Sequence, residues 1–185
     1  MESFYDWGSI NLNNKEKLIQ DNYSKVNQIS ARCMRVIVAI LALAFVYCYF
    51  GTDMDESVLI VFFASAIFIA LIPTLIINIL KFDHAPVTKH IVIICVCLIA
   101  TLMLTLLSTY AYPIMLFPIL LASLYYNQTL VLFASLLMSC GIVGSNYFAF
   151  RFSDVFIGFP CESFEEVMMS YVVPQIVVVF GLSVA

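Results

Sequence analysis

The polar residues that could recognise a ligand are few, and they sit in runs that are otherwise apolar. Asn146, Tyr147, Tyr171 and Gln175 carry amide and phenol groups in such runs. An amide donates and accepts at once, and a phenol does the same from an aromatic body, so these four could line a small polar cavity. Gln175 is the most polar group inside a run and directly follows Pro174. Proline has no N–H to donate and interrupts the helix ladder, so Pro118 and Pro174 read as hinges, with Pro73 a third interior proline. The segment 151–166 carries Phe152, Phe156, Phe159 and Phe164 and reads as a lid over that cavity. The competing reading is that the kinks and the lid serve packing alone.

Groups for covalent, acid–base or metal chemistry are present but badly spaced. His84 and His90 are six residues apart with Asp83 nearby, in a loop between apolar runs, and they read as loop residues rather than metal ligands. Cys95 and Cys97 are two apart and point to different faces of a helix, so they form neither a redox pair nor a metal pair. Cys48 and Cys161 fall near the same end of their segments and could be bonded, with free thiols the default expectation. Glu165 and Glu166 precede an apolar run, as in one family of membrane proteases. That pattern also needs an arginine where Ser170 stands, and acidic residues at a helix start are better explained by the helix dipole. No Asp, Glu, Lys, Arg or His lies in the middle of any apolar run, which weighs against proton relays, ion-coupled transport and intramembrane hydrolysis. No catalytic residue, metal site or cofactor is therefore expected, and the chain by itself is not read as an enzyme.

The elements that must hold these residues follow from composition. Of 185 residues, 63% are hydrophobic and 11% charged, with a mean hydropathy of +1.04. Soluble domains carry about 25% charged residues, so a soluble enzyme, a nucleic-acid binder and a disordered chain are excluded. The expected fold is all-α: a transmembrane bundle of six helices spanning about 33–50, 58–80, 91–109, 113–126, 130–150 and 167–185. The fourth run is short for a bilayer. Residues 1–32 form a polar N-terminal segment. Within it Asn13 and Glu16 have capping-box spacing, and Leu18, Ile19, Tyr23, Val26 and Ile29 recur at helical intervals. They predict an amphipathic helix over about 14–32, lying on the membrane surface and running into the first span.

Charge placement orients the bundle. With six spans, seven of the eight Lys and Arg residues fall on the side that holds residues 1–32, 81–90 and 127–129, and only Arg151 falls on the other. The positive-inside rule then puts the N terminus in the cytoplasm, in a multi-pass plasma-membrane protein. The sixth run, Val167–Ala185, is barely one crossing and has no basic flank, which predicts that a cytoplasmic part follows it. In the fifth run, Ser135, Ser139, Gly141, Gly144 and Ser145 give small-xxx-small spacing, a helix–helix seam within the bundle or between two copies in a homodimer.

The stretch Tyr112–Leu130, YPIMLFPILLASLYYNQTL, resembles a segment of bacterial signalling receptors in which a proline-containing span ends in an LYY-N turn and leads into the next span. The resemblance is to the six-span N-terminal sensor modules of Firmicute-type diguanylate cyclases and of relatives with a histidine kinase, phosphatase or HD output. It implies a sensory input module whose partners are the lipid bilayer and a small ligand. The GG[DE]EF signature is absent, so no catalytic residue carries over. The alternative is the substrate-binding membrane subunit of an energy-coupled vitamin-type transporter, also a six-span bundle, although Ala39 is followed four residues later by Leu43 rather than by a second alanine.

Overall fold

In the computed structural model, residues 3–51, 55–107, 113–151 and 163–184 are described, the side chains of 3–16, 107 and 184 excepted. Among them there is helix and turn and no strand. Five helices are long and apolar enough to cross a membrane, which makes this a membrane protein. The exposure pattern agrees. Large apolar side chains face outward, with Leu43 72%, Phe68 68% and Met169 74% exposed, while Ser30 and Ser135 are fully buried. Such an exposed apolar surface fits a lipid solvent and not water.

Helix α1, Ser3–Gly51, is one unbroken rod of 49 residues, about 74 Å long at 1.5 Å per residue. It runs through residue 32, where a polar segment is expected to give way to a span, without a break. Asn13, expected at a helix start, therefore lies inside it. The apolar face expected to lie on the membrane surface is for the most part outside the bundle core, Val26 excepted. Leu18 is 70% and Ile29 46% exposed, and the residues turned inward are Ser24, Asn27 and Ser30 with Val26, Ala31 and Met34. Polar partners on a neighbouring loop account for this, because they hold that face against the bundle.

Helix α2, Glu56–Thr74, starts at Asp55, whose carboxylate accepts the Ser57 N–H, and returns along α1 with Phe63 edge-on to Phe45. It continues into a π-helical turn at Leu75–Ile79. Helix α3, Thr88–Leu107, follows. Next comes a 3₁₀ turn at 113–116 and the short α4, Phe117–Ser123. The apolar piece Pro113–Ser123 spans only about 18 Å at helical rises of 1.5–2.0 Å per residue, against ~30 Å of hydrocarbon. Pro118 lies in the first turn of α4. Its missing N–H would have had no helical partner there, so Pro118 starts a helix and does not hinge one.

Helix α5, Gln128–Arg151, is capped by Asn127, whose Oδ1 accepts the Leu130 N–H at 3.2 Å. It runs beside α3. The Cys97 thiol donates to the Ala134 carbonyl, and a Cβ at Gly141 would overlap Thr101 Oγ1. Ser135 and Ser145 are buried, whereas Gly144 is exposed with no neighbour around its missing Cβ. The small-residue seam thus packs inside the bundle at Gly141 and Ser135 and not at Gly144. The last helix is α6, Phe164–Val167, a π-helical turn at Met168–Val172, and α7, Val173–Val184, in one continuous rod packed on α5.

Candidate functional site

The bundle has a basic end, with Arg32, Arg35, Lys81 and Lys89, and an acidic end, with Asp55, Glu56, Glu165 and Glu166. Two polar sites lie between and at these ends.

The first is between α5 and α7, toward the acidic end. Asn146 is 6% and Gln175 5% exposed, and Asn146 Nδ2 approaches Gln175 Oε1 at 3.5 Å, the outer limit of a hydrogen bond. Asn146 also donates to the Ile142 carbonyl of its own helix at 2.8 Å. Among the described residues no group accepts from the Gln175 amide. A buried amide without its partners costs about 1–3 kcal/mol, so this contact is a weak joint in an otherwise apolar interface. Pro174 is the reason for the backbone on either side. It cannot donate to the preceding turn, and the ladder slips there to a wider spacing, with the Val173 N–H on the Met168 carbonyl. Pro174 and the π turn together concentrate the helix's irregularity beside the buried amide pair. Tyr171 is half-buried in that turn, four residues before Gln175 and on the same helix face. Tyr147 faces outward, 54% exposed, with its ring edge-on to Phe164 at 5.3 Å. The structure therefore brings together Asn146 and Gln175 from the expected group and turns Tyr147 away. Residues 152–162 of the segment expected to form a lid, and with them Cys161, lie outside the described residues, while Phe164 of that segment packs on Tyr147.

The second site is at the basic end, and sequence reasoning misses it. Tyr125, 1% exposed, donates its hydroxyl to Asn27 Oδ1 at 2.7 Å. Asn27, also 1% exposed, donates from Nδ2 to the Asp83 backbone carbonyl at 2.6 Å. Ser24 Oγ and Gln28 Nε2 both donate to Asp83 Oδ2, at 2.9 and 3.3 Å. The Ser24 hydroxyl foremost, then Gln28 and the nearby His84, hold the Asp83 carboxyl below the usual carboxylate range against a smaller opposing effect of burial. Lys89 Nζ sits 4.2 Å above the Tyr23 ring, a cation–π contact at the same level. This knot ties α1 to the α2–α3 loop and to the α4–α5 turn. The only hint in the sequence is the spacing Ser24, Asn27, Ser30, a polar stripe that reads as a solvated face. His90 does not join Asp83 and His84. It packs edge-on against Phe133, and among the described residues no three potential ligands gather around a metal position.

An apolar cavity of about 440 Å³ lies apart from both sites. Ile37, Leu41, Val96, Met103, Ile114 and Phe117 are on its walls, from α1, α3 and the start of the short fourth segment.

Comparison of the chain with family models, with curated proteins and with solved structures finds no match.

Proposed function

We propose that the chain is the membrane-embedded input module of a bacterial signalling protein. In this reading it is multi-pass, with six apolar segments that cross the bilayer, the fourth of them short. The basic end and the N terminus face the cytoplasm in this reading, which the charge asymmetry supports. A stimulus at the outer face or within the membrane biases the last helix, which hands the change to a cytoplasmic output of the diguanylate cyclase or histidine kinase kind. The likeness of Tyr112–Leu130 to such receptors supports the class.

The single observation that carries the reading is the buried Gln175. It stands beside Pro174, behind a π turn, and holds Asn146 by one long bond. A partner that satisfies the Gln175 amide better than Asn146 does would favour one arrangement of α7 over another, and a ligand shifts an equilibrium only by such a difference in affinity. Coupling of this kind is typically about 1–3 kcal/mol. No Asp, Glu, Lys, Arg or His lies in the middle of an apolar run to couple an ion gradient.

Proteoliposomes containing the chain are expected to show no proton- or sodium-driven uptake of solutes. Gradient-driven uptake would overturn the sensor reading. Tight binding of a vitamin together with recruitment of an ATPase subunit would replace it with the transporter reading.

A further inference from the structure

At the basic end, a recess of about 350 Å³ lies between α1 and the end of the α2 rod. Three cations line it: Arg32 and Arg35 from α1, and Lys81 from the loop. The side-chain amides of Gln28 and Asn78 lie beside them. The one carboxylate on its wall, Asp83, is engaged by Ser24 and Gln28. Among the described residues the sole ion pair is that of His84 with Asp83, so no carboxylate lies within 4.0 Å of Arg32, Arg35 or Lys81. Arg35 turns its Nε back to the Ala31 carbonyl at 3.4 Å, which leaves its terminal nitrogens for another acceptor. Lys81 sits at φ 54°, in the left-handed region. Helix ends of this kind ordinarily use glycine there, so a lysine forgoes the unstrained choice and places a charge in the recess.

We infer that this recess binds the phosphate of an anionic phospholipid, with the acyl chains lying along the outward face of α1. Two guanidinium groups and an ammonium match a phosphodiester, which offers anionic oxygens for charge-assisted hydrogen bonds. The occupant is a lipid because of what lies next along the helix. Ala39, Leu43 and Val46 follow Arg32 at helical intervals, on the same side of α1, and all are exposed. A head group held at Arg32 and Arg35 therefore has an apolar track for its tails. Basic pockets at the cytoplasmic ends of transmembrane helices hold lipid head groups by the same chemistry. The inference rests on the reading that these helices cross a bilayer with the basic end at its surface.

The test is native mass spectrometry of the whole chain released from nanodiscs that contain phosphatidylcholine and phosphatidylglycerol in equal amounts. Nanodiscs expose both faces, so the result does not depend on orientation, and cysteine labelling of cells before and after permeabilisation checks orientation separately. The wild type is expected to retain one phosphatidylglycerol in clear preference to phosphatidylcholine. Each basic residue near an anionic head group contributes about fivefold, so R32Q/R35Q/K81Q should lower that preference by roughly a hundredfold. K17Q/K25Q, which alters basic residues away from the recess, should leave it unchanged. K81G separates binding from folding. It relieves the left-handed strain and should raise thermal stability, while lowering the lipid preference by about fivefold. Undiminished preference in the triple variant overturns the inference. Equal loss in K17Q/K25Q reduces it to a general surface-charge effect and also overturns it. Displacement of the lipid by inorganic phosphate at low millimolar concentration would show that the recess serves a soluble anion, and that too would contradict the lipid assignment.

Discussion

Replacing Tyr125 with phenylalanine removes one oxygen from the centre of the basic end and leaves the ring in place. The hydroxyl donates to Asn27 Oδ1 at 2.7 Å, and both residues are 1% exposed. Loss of a net hydrogen bond is worth about 1 kcal/mol, and the orphaned, buried Asn27 oxygen adds about 1 kcal/mol or more. Tyr125→Phe is therefore expected to destabilise by about 2 kcal/mol. For a chain of this size that is roughly a 4–8 °C fall in Tm. Asn27→Leu should do more, about 2–4 kcal/mol, because it strands both the Tyr125 hydroxyl and the Asp83 carbonyl that Asn27 Nδ2 reaches at 2.6 Å. The double variant has neither the hydroxyl nor the orphaned amide oxygen. Its loss should fall short of the sum by about 1–2 kcal/mol, the coupling of directly bonded partners. Thermal unfolding of the four proteins in one detergent, followed by tryptophan fluorescence and by circular dichroism, measures the cycle. Losses that add to within about 0.5 kcal/mol would mean the two groups do not interact, and the knot would be refuted.

Glycine contacts on α5 separate the two halves of its small-residue stripe. Gly141→Val drives a side chain into Thr101 and should cost about 1–3 kcal/mol or more, whereas Gly144→Ala meets nothing and should be neutral or stabilising by up to ~1 kcal/mol; Tm values of the two variants check this. Acid sensitivity should centre on Asp83. Its carboxyl is held below the usual value of about 3.9, so its contribution is complete above that pH and is lost as pH falls through the lowered value. The Tm gap between wild type and Asp83→Asn should therefore narrow as a titration runs from neutral pH to about pH 3, and a gap independent of pH would contradict the assignment. For topology, single cysteines at Ser57 and Ser163 should react from outside intact cells. One at Val87, 61% exposed, should react only after permeabilisation.

Much of the fold is legible in residue type alone, because a bilayer imposes it. Runs of apolar residues near twenty long become helices wherever water is excluded, and five of the expected runs are such helices here. The short Pro113–Tyr126 run reads correctly as too short for the hydrocarbon. Pro118 reads wrongly, because a proline's effect depends on its distance from the helix start, and the 3₁₀ turn that sets that start leaves no mark in the hydropathy. Residues 14–32 reveal their apolar face but not their buried polar one. Periodicity finds the apolar side of a helix, yet α1 buries Ser24 and Asn27 because their hydrogen-bond partner, Asp83, lies on a loop 56 or more residues away. No local pattern encodes a pairing between Asn27 and Tyr125, which are 98 residues apart. Asn146 and Gln175 are legible individually as polar groups in apolar runs. Their contact depends on the antiparallel packing of α5 on α7, which a loop of any length could deliver.

The central claim is that the last helix can take two arrangements about Pro174, balanced by Gln175. Spin labels at Tyr126→Cys, 90% exposed, and Leu182→Cys, 46% exposed, place one probe at the basic end of the bundle and one near the far end of α7. Pulsed electron–electron resonance in nanodiscs, with native cysteines replaced, gives the distance distribution between them. The account predicts two distances in the otherwise wild-type protein and a single one in Pro174→Ala, whose helix can close its ladder. In Gln175→Leu it predicts the same two distances with their populations shifted about 5- to 150-fold, as coupling of ~1–3 kcal/mol requires. One unchanged distance in all three proteins would contradict it and leave α7 a passive wall of the bundle.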